Sequence, residues 1–207
     1  MAEKSKYVIA LDQIQSKVYE FLKPLGFRKK GRTFNREANE KGIFQVVSFH
    51  AGPYTSSVYG KFNVGLGVLI KELYDLVEWH EPTNFYQSGY CQASQSLSFL
   101  LYGKGVWWDL SGDPEELAKT VIDGFKSAGL FYFAVYDTRA KFRESYGRFG
   151  DAPPRAKLDI ALMVRHTDRD EGDRLFREYY AGEFINPDHR GYVEELAARL
   201  GIPLNEG

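Results

Sequence analysis

The feature that most constrains the fold is the run Lys61–Ile70, in which apolar residues alternate with small or polar ones. One side of the run carries Phe62, Val64, Leu66, Val68 and Ile70, and the other carries Asn63, Gly65, Gly67 and Leu69. Successive side chains of a β-strand point to opposite faces, so the run predicts a long central strand with one apolar face. The glycines indicate that a helix, another backbone or a ligand approaches the second face closely.

The segments before this strand predict an antiparallel meander with a helix packed on it. Apolar residues recur at helical spacing from Lys6 to Leu22, and Pro24 ends that helix. The segment from Phe27 to Arg36 has the character of an edge strand with a turn or bulge at Gly31, and Ile43 to His50 resembles an interior strand.

The segments after the central strand predict further strands and several helices. Ser96–Tyr102 and Val106–Leu110 are expected to complete the sheet. Asp113 precedes Pro114 and Glu116, a combination typical of a capped helix start. From Arg155 onward the spacing predicts helices only.

These elements together predict an α+β fold. We expect an antiparallel sheet of about four to six strands with helices on one face. A Gly- and Pro-containing stretch near residue 150 predicts a boundary between a sheet domain, residues 1–150, and a C-terminal helical extension, residues 151–207, packed on it.

Composition favours a cytoplasmic protein that does not span a membrane. The single cysteine, Cys91, permits no internal disulfide, and the longest charge-free stretch is too polar for a membrane span. A net charge of −1 makes nucleic acid an unlikely partner. Aromatic residues make up 15% of the chain, which fits either an aromatic core or a surface for a protein partner.

No motif in the sequence identifies a catalytic, metal or cofactor site. The four histidines, His50, His80, His166 and His189, lack a second ligand at metal-binding spacing. Cys91 has no nucleophile signature around it, and the serine-hydrolase and phosphate-loop patterns are absent. We therefore expect no metal and no cofactor.

Two groups of residues remain as candidate binding sites. A pocket over the glycine side of the central strand would be lined by Gln45, His50, Asn63, Gly65 and Gly67. His50 is the best single candidate there, although a histidine at a strand end more often bonds to backbone.

The second group is the basic stretch formed by Arg28, Lys29, Lys30, Arg32 and Arg36. Lysine and arginine on an edge strand discourage edge-to-edge pairing, which is the simplest explanation of the stretch. The alternative function of the stretch is to bind an anion, an acidic protein partner or, as a third hypothesis, nucleic acid.

Four segments together resemble the bacterial family called domain of unknown function 4304. They are Leu25–Arg36, Phe44–Phe49, Phe62–Val68 and Trp107–Leu110, and the resemblance covers about residues 11–137. The resemblance implies an α+β fold with an antiparallel sheet, and it implies no activity.

The leading functional hypothesis is a non-catalytic binding module that engages a protein partner. A small-ligand binder or enzyme with a pocket over the glycines is the alternative, and a nucleic-acid contact through residues 28–36 is the third. The sequence leaves the oligomeric state undetermined.

Overall fold

The computed structural model describes residues 5–52, 60–76, 83–151, 153, 155–182 and 187–204. These form two compact units, residues 1–153 and residues 154–207. The first unit is an α+β domain built on an antiparallel sheet. No helix among the described residues is long and apolar enough to cross a membrane.

The sheet has six strands in the described part of the chain, and β4 lies at its centre. Strands β1 to β5 are neighbours in sequence order, and β6 pairs with β4 beside β5. The strand bounds are β1 Arg28–Lys30, β2 Thr33–Glu37, β3 Ile43–Ala51, β4 Lys61–Ile70, β5 Ala93–Ser96 and β6 Trp108–Asp109. The predicted central strand is confirmed with the bounds of the alternating run.

The apolar side of β4, called here the helix face, packs beneath helices. Phe62, Leu66 and Ile70 on this face are fully buried. Aromatic rings of the two neighbouring strands also pack on this face: Phe49 of β3 stacks on Phe62, and Trp108 of β6 contacts the Phe62 ring. Tyr19 of the first helix stacks on Phe34 with ring centroids 5.7 Å apart, which places that helix over this face.

The opposite side, called here the glycine face, is covered at one end by an aromatic cluster. Tyr74 and Tyr86 pack over Phe44, Val46 and Leu69, all at most 8% exposed. Asn35 Nδ2 donates to the carbonyl of Tyr86, and the backbone N–H of Ile70 donates to Gln92 Oε1. The irregular segment that carries Tyr86 is thereby attached to the sheet by hydrogen bonds.

Helices connect and flank the strands. In the first unit they are α1 Lys6–Leu22, α2 Lys71–Asp75, α3 Leu97–Tyr102, α4 Pro114–Gly124, α5 Leu130–Val135 and α6 Arg139–Ser145. A π-helical turn, Phe125–Gly129, joins α4 to α5. Asp113 caps α4, since its side chain accepts from the N–H of Glu115, as its position before Pro114 predicts.

Two strand predictions in this unit need correction. Ser96–Tyr102 is not a strand: Ser96 ends β5 and caps α3, its hydroxyl accepting from the N–H of Phe99, while Gly103 ends the helix with φ +68°. A short run of apolar residues is compatible with either a strand or a helix, and the two caps stabilise the helix. Only Trp108–Asp109 of the predicted strand Val106–Leu110 pairs with the sheet.

The stretch of basic residues folds as a hairpin rather than one strand. β1 and β2 pair with Lys30 opposite Thr33, leaving Gly31 and Arg32 as a two-residue loop. Gly31 has φ +61°, a conformation that glycine adopts without strain at this position of a tight hairpin.

The second unit contains α7 Ala156–Arg165, α8 Arg169–Tyr180 and α9 Pro187–Leu200. α7 and α8 cross closely at Gly172, where an added Cβ would lie only 2.3 Å from the Cα of Arg165. The Arg165 side chain donates to Asp173 on α8 and to the carbonyl of Leu200. One arginine therefore links all three helices.

Arg139 connects three separate parts of the first unit. Its guanidinium donates twice to Glu72 of α2, at 2.6 and 2.7 Å, and once to Glu40 in the β2–β3 turn. It also lies against Gly42, where an added Cβ would be 2.8 Å from Arg139 Nη2, and the φ of +85° at Gly42 independently favours glycine. The two carboxylates raise the pKa of Arg139, so the side chain stays charged.

We expect Arg139→Met to destabilise the first unit by about 2 kcal/mol, because it leaves the mostly buried Glu72 carboxylate without its partner. Lys119→Met is the matched control, since its pair with Asp123 is exposed to solvent and should contribute little to stability. Denaturant unfolding of both variants measures the difference. Equal losses in the two variants would contradict the central role of Arg139.

Candidate functional site

The two glycines of the predicted pocket lie against side chains of the protein itself. A Cβ on Gly67 would lie 2.5 Å from Cys91 Sγ and 2.9 Å from Cys91 Cβ. A Cβ on Gly65 would lie 2.9 Å from the Nε2 atom of His50. The close approach that the glycines predicted is therefore made by Cys91 and by the His50 ring.

The other residues predicted for that pocket are placed differently. His50 is exposed at its strand end, and partial burial of the ring lowers its pKa. Asn63 lies on the same face, where its amide donates to Ser98 Oγ and to the carbonyl of Val106. Gln45 pairs opposite Val68 and so lies on the helix face, away from His50, Asn63 and the glycines.

The basic residues do not form one patch. Arg28 donates to the carbonyl of Asn84, while Lys29 and Lys30 lie over the rings of Phe34 and Phe85. Arg32 is in the hairpin loop, and Arg36 lies on the helix face opposite Gln45. The hairpin distributes the charges over both faces because successive strand residues point in opposite directions.

Arg36 lines a cleft of about 620 Å³, called here the arginine cleft. The lining residues are Leu25, Gly26, Arg36, Glu37, Ala38, Asn39, Gln45, Leu130, Ala134 and Asp137. Gln45 is part of the wall, because it accepts from Arg36 Nε at 2.8 Å and donates to the carbonyl of Phe133. Two residues that the sequence assigned to different sites thus meet here.

A second depression, the aromatic groove, has a volume of about 630 Å³. It is lined by Phe99, Leu100, Ser127, Ala128, Phe131, Arg148, Phe149 and Gly150. Phe131 is 55% exposed and Phe99 is 38% exposed, unusual values for phenylalanine. Sequence reasoning missed this groove, since the apolar run Leu130–Val135 gives no indication of which rings reach solvent.

The groove has firmly packed walls. Phe149 contacts Phe131 edge-on and also packs against Tyr132. α3 approaches α4 closely, because a Cβ on Gly124 would lie 2.9 Å from Leu101 Cδ1. The lining residues Ser127 and Ala128 belong to the π-helical turn, a feature often found at functional sites.

The surroundings of the histidines and of Cys91 differ from one another in the described ranges. No three His, Cys, Asp or Glu side chains there are grouped so as to hold a metal ion. His189 is hydrogen-bonded to the hydroxyl of Tyr179, and His80 lies outside the described residues. Burial raises the pKa of the Cys91 thiol far above its usual value, which disfavours the nucleophilic thiolate.

The contacts of the two glycines predict different costs of substitution. Gly67→Ala should destabilise the domain by about 2 kcal/mol, because Cys91 offers both its Cβ and Sγ to the new methyl group. Gly65→Ala should cost less than about 1 kcal/mol, since the exposed His50 ring can rotate away.

Thermal or denaturant unfolding checks both values. Cys91→Ala in the Gly67→Ala background should recover part of the lost stability, because it removes the closest contact of the new methyl group. A double-mutant cycle that shows no coupling between the two positions would contradict the contact of Cys91 with Gly67.

A family model described as a domain of unknown function (DUF4304) matches residues 18–134 of the chain. The matched region contains the whole sheet together with the helices that form most of both clefts. Searches of curated proteins and of solved structures found no match. The chain therefore belongs to the DUF4304 family of domains of unknown function.

Proposed function

We propose that this domain is a non-catalytic protein-binding module, and that its aromatic groove receives an apolar side chain of the partner. The observation that carries the proposal is the exposure of Phe131 and Phe99, which both line one depression. Exposed rings in a firmly packed depression are typical of interface residues that contribute most of the binding energy.

The charge at the groove indicates what the partner carries. Arg148 is exposed, lies over the ring of Phe149, and has no carboxylate partner among the described residues. No acidic residue is among those that line the groove. We infer a partner segment with an apolar anchor residue next to Asp or Glu, which would pair with Arg148.

Other features favour a protein over nucleic acid as the partner. The basic residues Arg28 to Arg36 lie on both faces of the hairpin, and the net charge of the chain is −1. Such a distribution offers no continuous basic surface for a phosphate backbone.

The single unpaired cysteine is compatible with a reducing cytoplasm, which we take as the site of action.

Site-specific photocrosslinking in the native cell tests the proposal. A photoreactive phenylalanine analogue at Phe131 should capture a defined protein, whereas the same analogue at Tyr90, an exposed aromatic outside the groove, should not. Equal capture at both positions, or none at Phe131, would refute the proposal.

Affinity measured with the purified partner provides the quantitative prediction. Phe131→Ser should weaken binding at least about tenfold, since truncation of a central aromatic anchor commonly costs more than about 1.4 kcal/mol. Arg148→Glu should also weaken binding, and Tyr90→Ser should leave it unchanged. The melting temperature of Phe131→Ser should be close to that of the wild type, because more than half of the residue is exposed.

A further inference from the structure

The arginine cleft lies outside the aromatic groove and differs from it in chemistry. The apolar wall of the cleft is formed by Leu25, in the turn after α1, and by Leu130 and Ala134 of α5. Arg36 and Gln45 form the polar wall. A volume of about 620 Å³ is within the range of small-molecule sites in proteins.

Every hydrogen bond of the Arg36 guanidinium within the described residues goes to a neutral acceptor. Nε donates to Gln45 Oε1 at 2.8 Å, and Nη1 donates to the carbonyl of Leu25 at 2.5 Å. Cζ lies 4.7 Å from the centroid of the Phe27 ring, which supports one side of the planar group. Nη2 donates to no atom of the described chain, so part of the guanidinium is free to bind a ligand.

The positive charge of Arg36 is partly buried and has no counter-charge among the described residues. Desolvation lowers the pKa of Arg36, yet no Asp or Glu of the described residues is within ion-pair distance. A partly buried charge without a counter-charge is unfavourable, and an anion that pairs with it offsets part of the cost.

The two acidic residues of the cleft do not provide that counter-charge. Asp137 pairs with Lys141 at 2.8 Å and accepts from Asn39 at 3.0 Å. Glu37 accepts from the backbone N–H of Gly42 at 2.8 Å and is exposed. Both carboxylates have their own partners, and Arg36 remains available.

We propose that the arginine cleft binds a small organic carboxylate. The carboxylate group pairs with the free edge of the Arg36 guanidinium, and the apolar body of the ligand lies against Leu25, Leu130 and Ala134. A planar guanidinium matches the geometry of a carboxylate. Glu37 and Asp137 near the site disfavour a dianion such as phosphate more strongly than a monoanion.

Titration of the full chain with hexanoate, followed by ¹H–¹⁵N NMR, tests this proposal. We expect saturable shifts of the amides of Gly26, Ala38 and Ala134 and of the Arg36 Nε–H, with a dissociation constant of about 1 mM. Hexanamide, which has the same body without the charge, should bind at least about tenfold more weakly. Inorganic phosphate should produce no saturable shift at these positions.

Four variants separate the carboxylate site from general effects. Arg36→Met should abolish the hexanoate shifts, and Arg28→Met, which removes a charge from the other face of the hairpin, should preserve them. Ala134→Leu fills the cleft from an exposed helix position without altering Arg36, and it should also abolish binding. Phe131→Ser should leave hexanoate binding unchanged, so this result is independent of the groove.

Three results would overturn the proposal. The first is the absence of saturable shifts in the wild type up to about 50 mM hexanoate. The second is unchanged binding in both Arg36→Met and Ala134→Leu. The third is hexanamide binding as tightly as hexanoate, which would show that the charge of Arg36 makes no contribution.

Discussion

The burial of both faces of β4 is the constraint on which the rest of the first unit depends. On the helix face, the fully buried side chains of Phe62, Leu66 and Ile70 require a helical layer above them. On the glycine face, the absence of side chains at Gly65 and Gly67 lets His50 and Cys91 lie directly on the backbone. The hydrophobic effect thus favours the helical layer over the helix face, and the small size of glycine permits the close packing of His50 and Cys91 on the glycine face.

The positions of the two clefts follow from how those layers end. The helix layer does not cover the sheet completely near the β2–β3 turn, and the arginine cleft forms between Arg36 and Ala134. The aromatic groove forms where the chain changes from α4 through a π-helical turn into α5. Neither cleft is lined by Gly65 or Gly67, against which the side chains of His50 and Cys91 lie.

Charge has different consequences at the two sites. Arg148 extends into solvent beside exposed rings, a setting that suits recognition of a partner surface. Arg36 is partly desolvated and held by neutral acceptors, a setting that suits a small anion. Arg139 shows the structural alternative, since two carboxylates satisfy its guanidinium and leave no donor edge for a ligand.

The sequence by itself determined the elements whose signals are local. Alternation fixed Lys61–Ile70 as a buried strand, and Asp113 before Pro114 fixed the start of α4, because each signal depends on neighbouring residues only. The sequence of Ser96–Tyr102 was ambiguous, since a short apolar segment fits either a strand or a helix. The caps at Ser96 and Gly103 favour the helix that the structure shows. Only the tertiary structure decided that Gln45 joins Arg36 instead of the glycines, that Cys91 covers Gly67, and that Phe131 remains exposed. These outcomes depend on contacts between residues far apart in the chain, and no local pattern encodes which side chains long-range packing leaves uncovered.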